Sequence, residues 1–439
     1  MPEVVPPAPG AADPSEAAFG LVWPGKAAAR AHAEAPAGTH LTLSPEATAP
    51  SVEAALAGLD HLLVEGDNLD ALKGLRHHFG NRVRLVFIDP PYNTGRGMDY
   101  DDRFELGASG YATRYGIPRG AMAPNADLGR MHAAWLDLMY PRLVRARDLL
   151  ADDGVLCVAI DDGEVHHLRM LCDEIFGPRG FVATFVWETK RAARGVPPRT
   201  GLMTTHEYVV CYARDRAKVV FHGLDRDAAD FANPDGDLRG PWRSESMKAT
   251  GTRRNIFELV DPATGLRYRG NWAFSEATLA RMVADGRVVF PSDPGGTPRQ
   301  KKHLGSHRRA TKAAVTALGW HATEAATKAL MAMFGGQKVF DFAKPMPLMR
   351  FFCDQLLRPG DLALDFFAGS GTTAHAVWEQ NAEDGGGRRV ILVQRPEPCA
   401  PGGTAALAGF GTVTEVLRAR LALAAQALGG PRLTRLLLR

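Results

Sequence analysis

The apolar run Leu85, Val86, Phe87, Ile88 stops at Asp89, and Pro90 and Pro91 follow before Tyr92, Asn93, Thr94 and Gly95. A run with no polar position reads as a strand covered on both faces, which is the environment of a parallel sheet. Prolines cannot donate to a ladder, so two in succession end the strand abruptly at its carboxyl edge. In an open α/β sheet, that edge is where ligands bind.

The chemistry of the four residues Asp89, Pro90, Pro91 and Tyr92 follows from their donors and acceptors. A carboxylate and the carbonyl that precedes a proline are two acceptors held close together, with no competing donor from either ring. Such a pair suits an exocyclic amino group. A neighbouring tyrosine can lie against a planar ring, and stacking a base on an aromatic is worth roughly 1–3 kcal/mol. That offsets much of the few kcal/mol needed to flip a base out of a duplex.

A second constellation stands far along the chain. The apolar strand Asp361 to Asp365 runs into Phe366, Phe367, Ala368, Gly369, Ser370 and Gly371, then into a helix from Thr372 to Gln380. Strand, glycine loop and helix in this order bring backbone close to a ligand at a helix amino terminus. The third glycine of the dinucleotide fingerprint is missing, because His375 stands beyond Gly369 and Gly371. Thr372 and Thr373 instead offer hydroxyls and N–H groups that suit the carboxylate of an amino-acid-like ligand. The next strand, Arg388 to Val393, ends at Gln394 with Glu397 close behind, where an acid can accept both hydroxyls of a ribose.

Composition bounds the class. A chain of 439 residues with 45% hydrophobic and 23% charged residues is built like an ordinary globular protein of two or three domains. Its net charge is only +3, so a nucleic-acid surface has to be local. Five cysteines form neither a CxxC pair nor an even framework, which fits a reducing cytosol and gives no structural zinc; no metal is expected. No apolar run approaches the roughly 20 residues needed to cross a bilayer, so a cytoplasmic protein without a membrane partner is expected.

Organisation along the chain follows from texture. Residues 1–55, rich in Pro and Ala, read as a mobile leader, with order starting near His61. His61 to Val64 is a strand, Gly66, Asp67 and Asn68 a turn, and Leu69 to His77 a helix, so Asp67 reaches the same sheet edge as Asp89, either as a helix cap or as a ligand contact. The polar stretch from Arg96 to about Arg130 reads as a flap. Asp161, Asp162 and Glu164 read as caps of the helix Val165 to Phe176. Phe181 to Trp187 and Glu207 to Tyr212 read as an antiparallel hairpin at the sheet edge. Residues 56–214 thus form one half of an α/β domain, 215–336 an inserted unit without strand–helix alternation, and 337–439 the other half. Within the insert, Arg299, Lys301, Lys302, Arg308, Arg309 and Lys312 gather charge without an intervening acid, as phosphate contacts require.

The order Asp-Pro-Pro-Tyr, inserted region, Phe342-x-Lys344-Pro345, then Phe366-x-x-Gly369-x-Gly371 resembles that of the β-group of amino-methylating DNA methyltransferases. In detail it is similar to the modification subunits of type III restriction systems: Gly66 to Leu69, Asp89 to Gly95, Trp272, the basic stretch Pro298 to Leu304, and Ile391 to Gln394 with Glu397, across roughly residues 60–400. The chain is short for such a subunit.

The resemblance implies a Rossmann-like methyltransferase sheet in permuted motif order, with an inserted target-recognition domain. It implies transfer of a methyl group from S-adenosylmethionine to adenine N6 of a base flipped from double-stranded DNA. In the catalytic set Asp89, Pro90, Pro91 and Tyr92, the Asp89 carboxylate and the Pro90 carbonyl would hold the amino group and Tyr92 would stack on the base. Asp67, Lys344, Asp365, Phe366, Gly369, Gly371, Thr372, Thr373, Gln394 and Glu397 would hold the cofactor, with Phe340 to Pro345 as a lid. It further implies a homodimer and a restriction subunit as partner, or else a solitary methylase. The alternatives on the same sheet are cytosine N4, RNA, or a glutamine side chain of a protein.

Overall fold

A computed structural model describes residues 20–58, 60–94, 104–117, 126–190, 201–225, 228–251, 254–293, 295–306, 311–320 and 323–439. The chain divides into two compact units: the chain up to Phe221 together with Val315–Arg439, and His222–Ala314.

The first unit is built on a sheet of ten strands among the described residues. In chain order these are β1 (Leu41–Leu43), β2 (His61–Glu65), β3 (Val83–Ile88), β4 (Leu150–Ile160), β5 (Phe181–Glu188), β6 (His206–Ala213), β7 (Ala317–Trp320), β8 (Leu362–Asp365), β9 (Arg389–Gln394) and β10 (Leu433–Leu438). Their spatial order is β1-β10-β2-β9-β8-β3-β4-β6-β5-β7. The stretch from β10 through β4 is parallel throughout. The apolar runs are what make this possible. On β3, Val83, Val86 and Ile88 enter one core while Leu85 and Phe87 enter another on the opposite face. Burying each such side chain is worth about 1.5–3 kcal/mol, so the strand is held from both faces.

β8 lies between β9 and β3, with Leu364 opposite both Ile391 and Val86. Two strands separated by most of the sequence are thereby neighbours, and Asp365 and Asp89 leave the same edge of the sheet. This is the Rossmann-like arrangement in permuted order that the motif sequence implies.

Three features differ from the sequence reading. First, the leader does not stay mobile up to residue 55: Trp23 Nε1 donates to Asp137 Oδ1 at 2.8 Å, the helix Lys26–Glu34 lies on the helix Ala126–Leu149, and β1 pairs with β10. An alanine-rich segment carries no periodic signal of its own, and it is ordered by what it covers. Second, the hairpin of β5 and β6 is antiparallel as expected, but β7 adds in parallel outside β5, so the hairpin is not the edge. Third, β7 and the helix Thr323–Met333 come from residues 315–336, which the sequence reading gave to the insert.

The second unit has its own core of Met247, Leu259, Tyr268, Trp272, Leu279 and Met282. Its largest sheet pairs Val288–Val289, Arg299–His303 and Trp242–Ser246 in antiparallel fashion.

Candidate active site

A cavity of about 550 Å³ opens at the carboxyl edge of the first unit's sheet. Asp67, Asp89, Pro91, Lys344, Asp365, Phe366, Gly369, Thr372, Thr373, Gln394 and Glu397 all line it. The two constellations therefore meet in one cleft. Pro90, Tyr92 and Gly371 are not among the lining residues.

At the β3 end, the proline turn is held from below by Trp135, whose Nε1 donates to the Pro91 carbonyl at 2.7 Å. Asn93 takes a positive φ of 62° and donates through Nδ2 to Glu164 at 2.6 Å and to the Met131 carbonyl at 2.7 Å. Glu164, nearly inaccessible, is further bridged to His132 Nδ1 and His167 Nδ1, each at 2.8 Å. Its side chain does not cap the following helix, contrary to the sequence reading. His132, Glu164 and His167 are also the one group among the described residues whose ligand atoms lie close enough, within 4.8 Å, to share a metal ion. Both carboxylate oxygens are engaged with imidazoles as they stand.

Asp89 meets Lys344, with Nζ 3.0 Å from Oδ1. The same ammonium stands 3.8 Å from Glu207 Oε2 and 4.7 Å from the centre of the Tyr92 ring, and the Tyr92 hydroxyl donates to Glu207 Oε2 at 3.1 Å. Burial pushes Lys344 down, but the negative charges of Asp89 and Glu207 outweigh it and hold the ammonium above its ordinary pKa. Burial likewise raises Glu207, with Lys344 opposing. Lys344, expected over the cofactor, thus puts its charge on Asp89. Glu207 was missed because one acid in an otherwise apolar strand, His206–Ala213, looks like an exposed position.

At the β8 end, Asp365 is buried and accepts from Thr373 Oγ1 at 2.5 Å and from the Phe367 N–H at 3.0 Å. No cation pairs with it among the described residues. Burial pushes its carboxyl up to about 7, against the pull of those two hydrogen bonds. Gly369 has φ 51°, and its N–H donates to Gln394 Oε1 at 2.8 Å, so Gln394 fixes the turn. Gly371 caps the helix Thr372–Asp384 with φ 82° and packs on Leu421. The hydroxyls offered in the sequence reading are committed within the fold: Thr373 donates to Asp365, and Thr372 accepts from the buried Arg420 at 2.7 Å.

Asp67 caps the helix Asn68–Phe79 through Oδ1, while Arg142 pairs with Oδ2 at 3.0 Å. Both it and Arg142 line the cavity.

Two of the expected DNA contacts, Arg308 and Arg309, lie outside the described residues. Within the second unit, Lys312 is exposed, Lys302 is half-buried, and Arg299 donates to Ser244 Oγ at 2.6 Å. Lys301 is instead neutralised by Asp235 and Asp237 and lies 5.2 Å from the Trp242 ring centre. A basic run free of acids in sequence meets acids in space.

The DNA methylase family matches residues 83–386, a span that contains both strand ends of the cleft. The chain belongs to this family. It is 33% identical over 374 residues to the type III restriction-modification enzyme StyLTI Mod subunit of Salmonella typhimurium, covering 82% of this chain and 56% of that one. It is 29% identical over 453 residues to the EcoPI Mod subunit of Escherichia phage P1, covering 93% and 68%. It is also 29% identical over 380 residues to the type II methyltransferase M.KpnI of Klebsiella pneumoniae, covering 81% and 85%. This DNA methylase spans little more than half the length of the Salmonella subunit. Among its described residues, no helix is long and apolar enough to cross a membrane.

Proposed function

We propose that this DNA methylase transfers a methyl group from S-adenosylmethionine to adenine N6 of a base flipped out of double-stranded DNA, as the modification enzyme of a restriction system. The observation that carries this reading is that Asp89 and the Gly369 turn line one cleft.

The lining fits S-adenosylmethionine. Asp365 is a buried carboxylate that faces the cavity without a cationic partner among the described residues, and the ligand is cationic at its sulfur and its amino group. The tight turn at Gly369 leads into a helix amino terminus, which suits the ligand's carboxylate. Glu397 and Asp67 also line the cavity, and an acid just past a strand end suits the hydroxyls of a ribose. When bound, the ligand supplies an electrophilic methyl group.

The chain's own residues prepare the nucleophile. An exocyclic amino nitrogen is a poor nucleophile because its lone pair is delocalised into the ring. Asp89 and the Pro90 carbonyl accept its two N–H groups, which favours a tetrahedral nitrogen with a free lone pair. That interaction strengthens in the transition state, so it accelerates the reaction rather than only binding the base. Tyr92 stacks on the base, its ring steered by Glu207.

Exposed basic residues of the second unit, Lys312 foremost, hold phosphates. A cytoplasmic enzyme, working as a homodimer beside a restriction subunit, completes the reading; the Mod subunits it resembles are components of type III restriction-modification enzymes. Nucleoside mass spectrometry of DNA treated with the chain and isotope-labelled S-adenosylmethionine tests the proposal. N6-methyldeoxyadenosine is expected; N4-methyldeoxycytidine alone, or methylation of RNA or protein alone, overturns it.

A further inference from the structure

The Asp89 corner carries a cation that methyl transfer to a neutral base does not require. Lys344 Nζ lies 3.0 Å from Asp89 Oδ1 and 4.7 Å from the Tyr92 ring centre. Asp89 and Lys344 both line the cavity. An amino group gripped by Asp89, on a base stacked against Tyr92, competes with the ammonium for the same carboxylate and the same ring. A second acceptor for the ammonium is already within ion-pair reach: Glu207 Oε2, at 3.8 Å.

We propose that the Lys344 ammonium stands in for the target amino group while no base is bound, and passes to Glu207 when a base enters. This rests on the base-methylating reading of the cleft. The exchange solves an electrostatic problem. The Tyr92 hydroxyl is already held by Glu207, and what Asp89 needs between turnovers is a counter-charge for a carboxylate that is only 29% exposed. The lysine supplies it with the two features of the base that matter there, an N–H donor and an affinity for an aromatic ring. Glu207 makes the exchange reversible. It is partly buried, raised by that burial, and gains from an approaching cation, so the ammonium moves between two carboxylates without crossing solvent. Because the same Glu207 oxygen takes the Tyr92 hydroxyl at 3.1 Å, arrival of the ammonium and alignment of the ring are linked. Glu207 is therefore a positioning residue acting through Tyr92 and Lys344.

Glu207→Gln keeps an acceptor for Tyr92 but removes the charge that receives the ammonium. Rates of tritiated methyl incorporation from S-adenosylmethionine into unmethylated genomic DNA are compared for the wild type, E207Q and E207Q/K344M, with equilibrium dialysis of S-adenosylmethionine as the control for folding. Expected is a fall in kcat/KM for DNA of about tenfold or more in E207Q, recovered to within about threefold of wild type in the double variant, since without the ammonium no destination is needed. A merely structural glutamate gives no recovery when a second residue is removed. Wild-type rate in E207Q, or a double variant as slow as E207Q while cofactor binding persists, overturns the proposal alone. Absence of incorporation by the wild type overturns the reading of the cleft and this proposal with it.

Discussion

Two aspartates leave adjacent parallel strands at the same edge of the sheet and line the same cavity, yet the fold treats them differently. Asp89, its side chain 29% exposed, has a lysine ammonium at 3.0 Å. Asp365, 4% exposed, has two neutral hydrogen-bond donors and no cation among the described residues. The first corner has a cation supplied by the chain itself and is suited to a neutral guest that must be gripped. The second is left one positive charge short and is suited to a guest that brings one. A base and a sulfonium donor are such a pair, so the division of charge between two like residues separates base handling from cofactor handling.

The largest effect should come from Asp89→Ala. With the grip on the amino group removed, methyl incorporation should fall at least about a hundredfold, while dialysis shows S-adenosylmethionine affinity nearly unchanged. Loss of cofactor binding with retained turnover would reverse the roles assigned to the two corners. Asp365→Asn should do the opposite. Charge-assisted hydrogen bonds are worth about 1.5–3 kcal/mol, so cofactor affinity should weaken roughly ten- to a hundredfold, with much of the rate restored at saturating cofactor.

These roles were unevenly legible in the sequence. The runs Leu85–Ile88 and Leu362–Leu364 could be read because burial on both faces favours unbroken apolar stretches, and prolines or glycines follow each strand end. Asp89, Asp365 and the Gly369 turn follow from those strand ends. What could not be read is everything that depends on distant parts of the chain meeting. Its place just before the glycine loop points Lys344 to the cofactor, and only the packed structure shows its ammonium reaching Asp89. Glu207 and Arg142 sit in ordinary strand and helix patterns, and only the packed structure brings Glu207 to Lys344 and Arg142 to Asp67. The same holds for Trp23 and for β7, whose order comes from the surfaces they cover.

A smaller effect concerns the stability of the ligand-free protein. The carboxyl of Asp365 is raised to about 7, above its value in the unfolded chain of about 3.9, so between these pH values the folded state holds a proton that the unfolded state has released. Stability contributed by this group is thus present at low pH and lost as pH rises toward 7. Thermal unfolding of D365N against wild type should show the variant gaining relative stability across that window, by a few kcal/mol at most. A constant difference between the two would mean that Asp365 is ionised throughout and that its corner is not short of charge.

The smallest effect is expected for Thr373→Val. It removes the hydroxyl donated to Asp365 at 2.5 Å, worth about 1.5–3 kcal/mol when the acceptor is charged, and so should raise the carboxyl further and weaken cofactor binding by several-fold at neutral pH. Unchanged binding from pH 6 to 8 would show that the hydroxyl does not tune the acid.

The most direct measurement of this division of charge is proton release on binding S-adenosylmethionine, obtained by isothermal titration at pH 6 in buffers of different ionisation enthalpy. The account predicts release of most of one proton by the wild type and by D89A, and none by D365N. Release that survives in D365N, or that disappears in D89A, contradicts it.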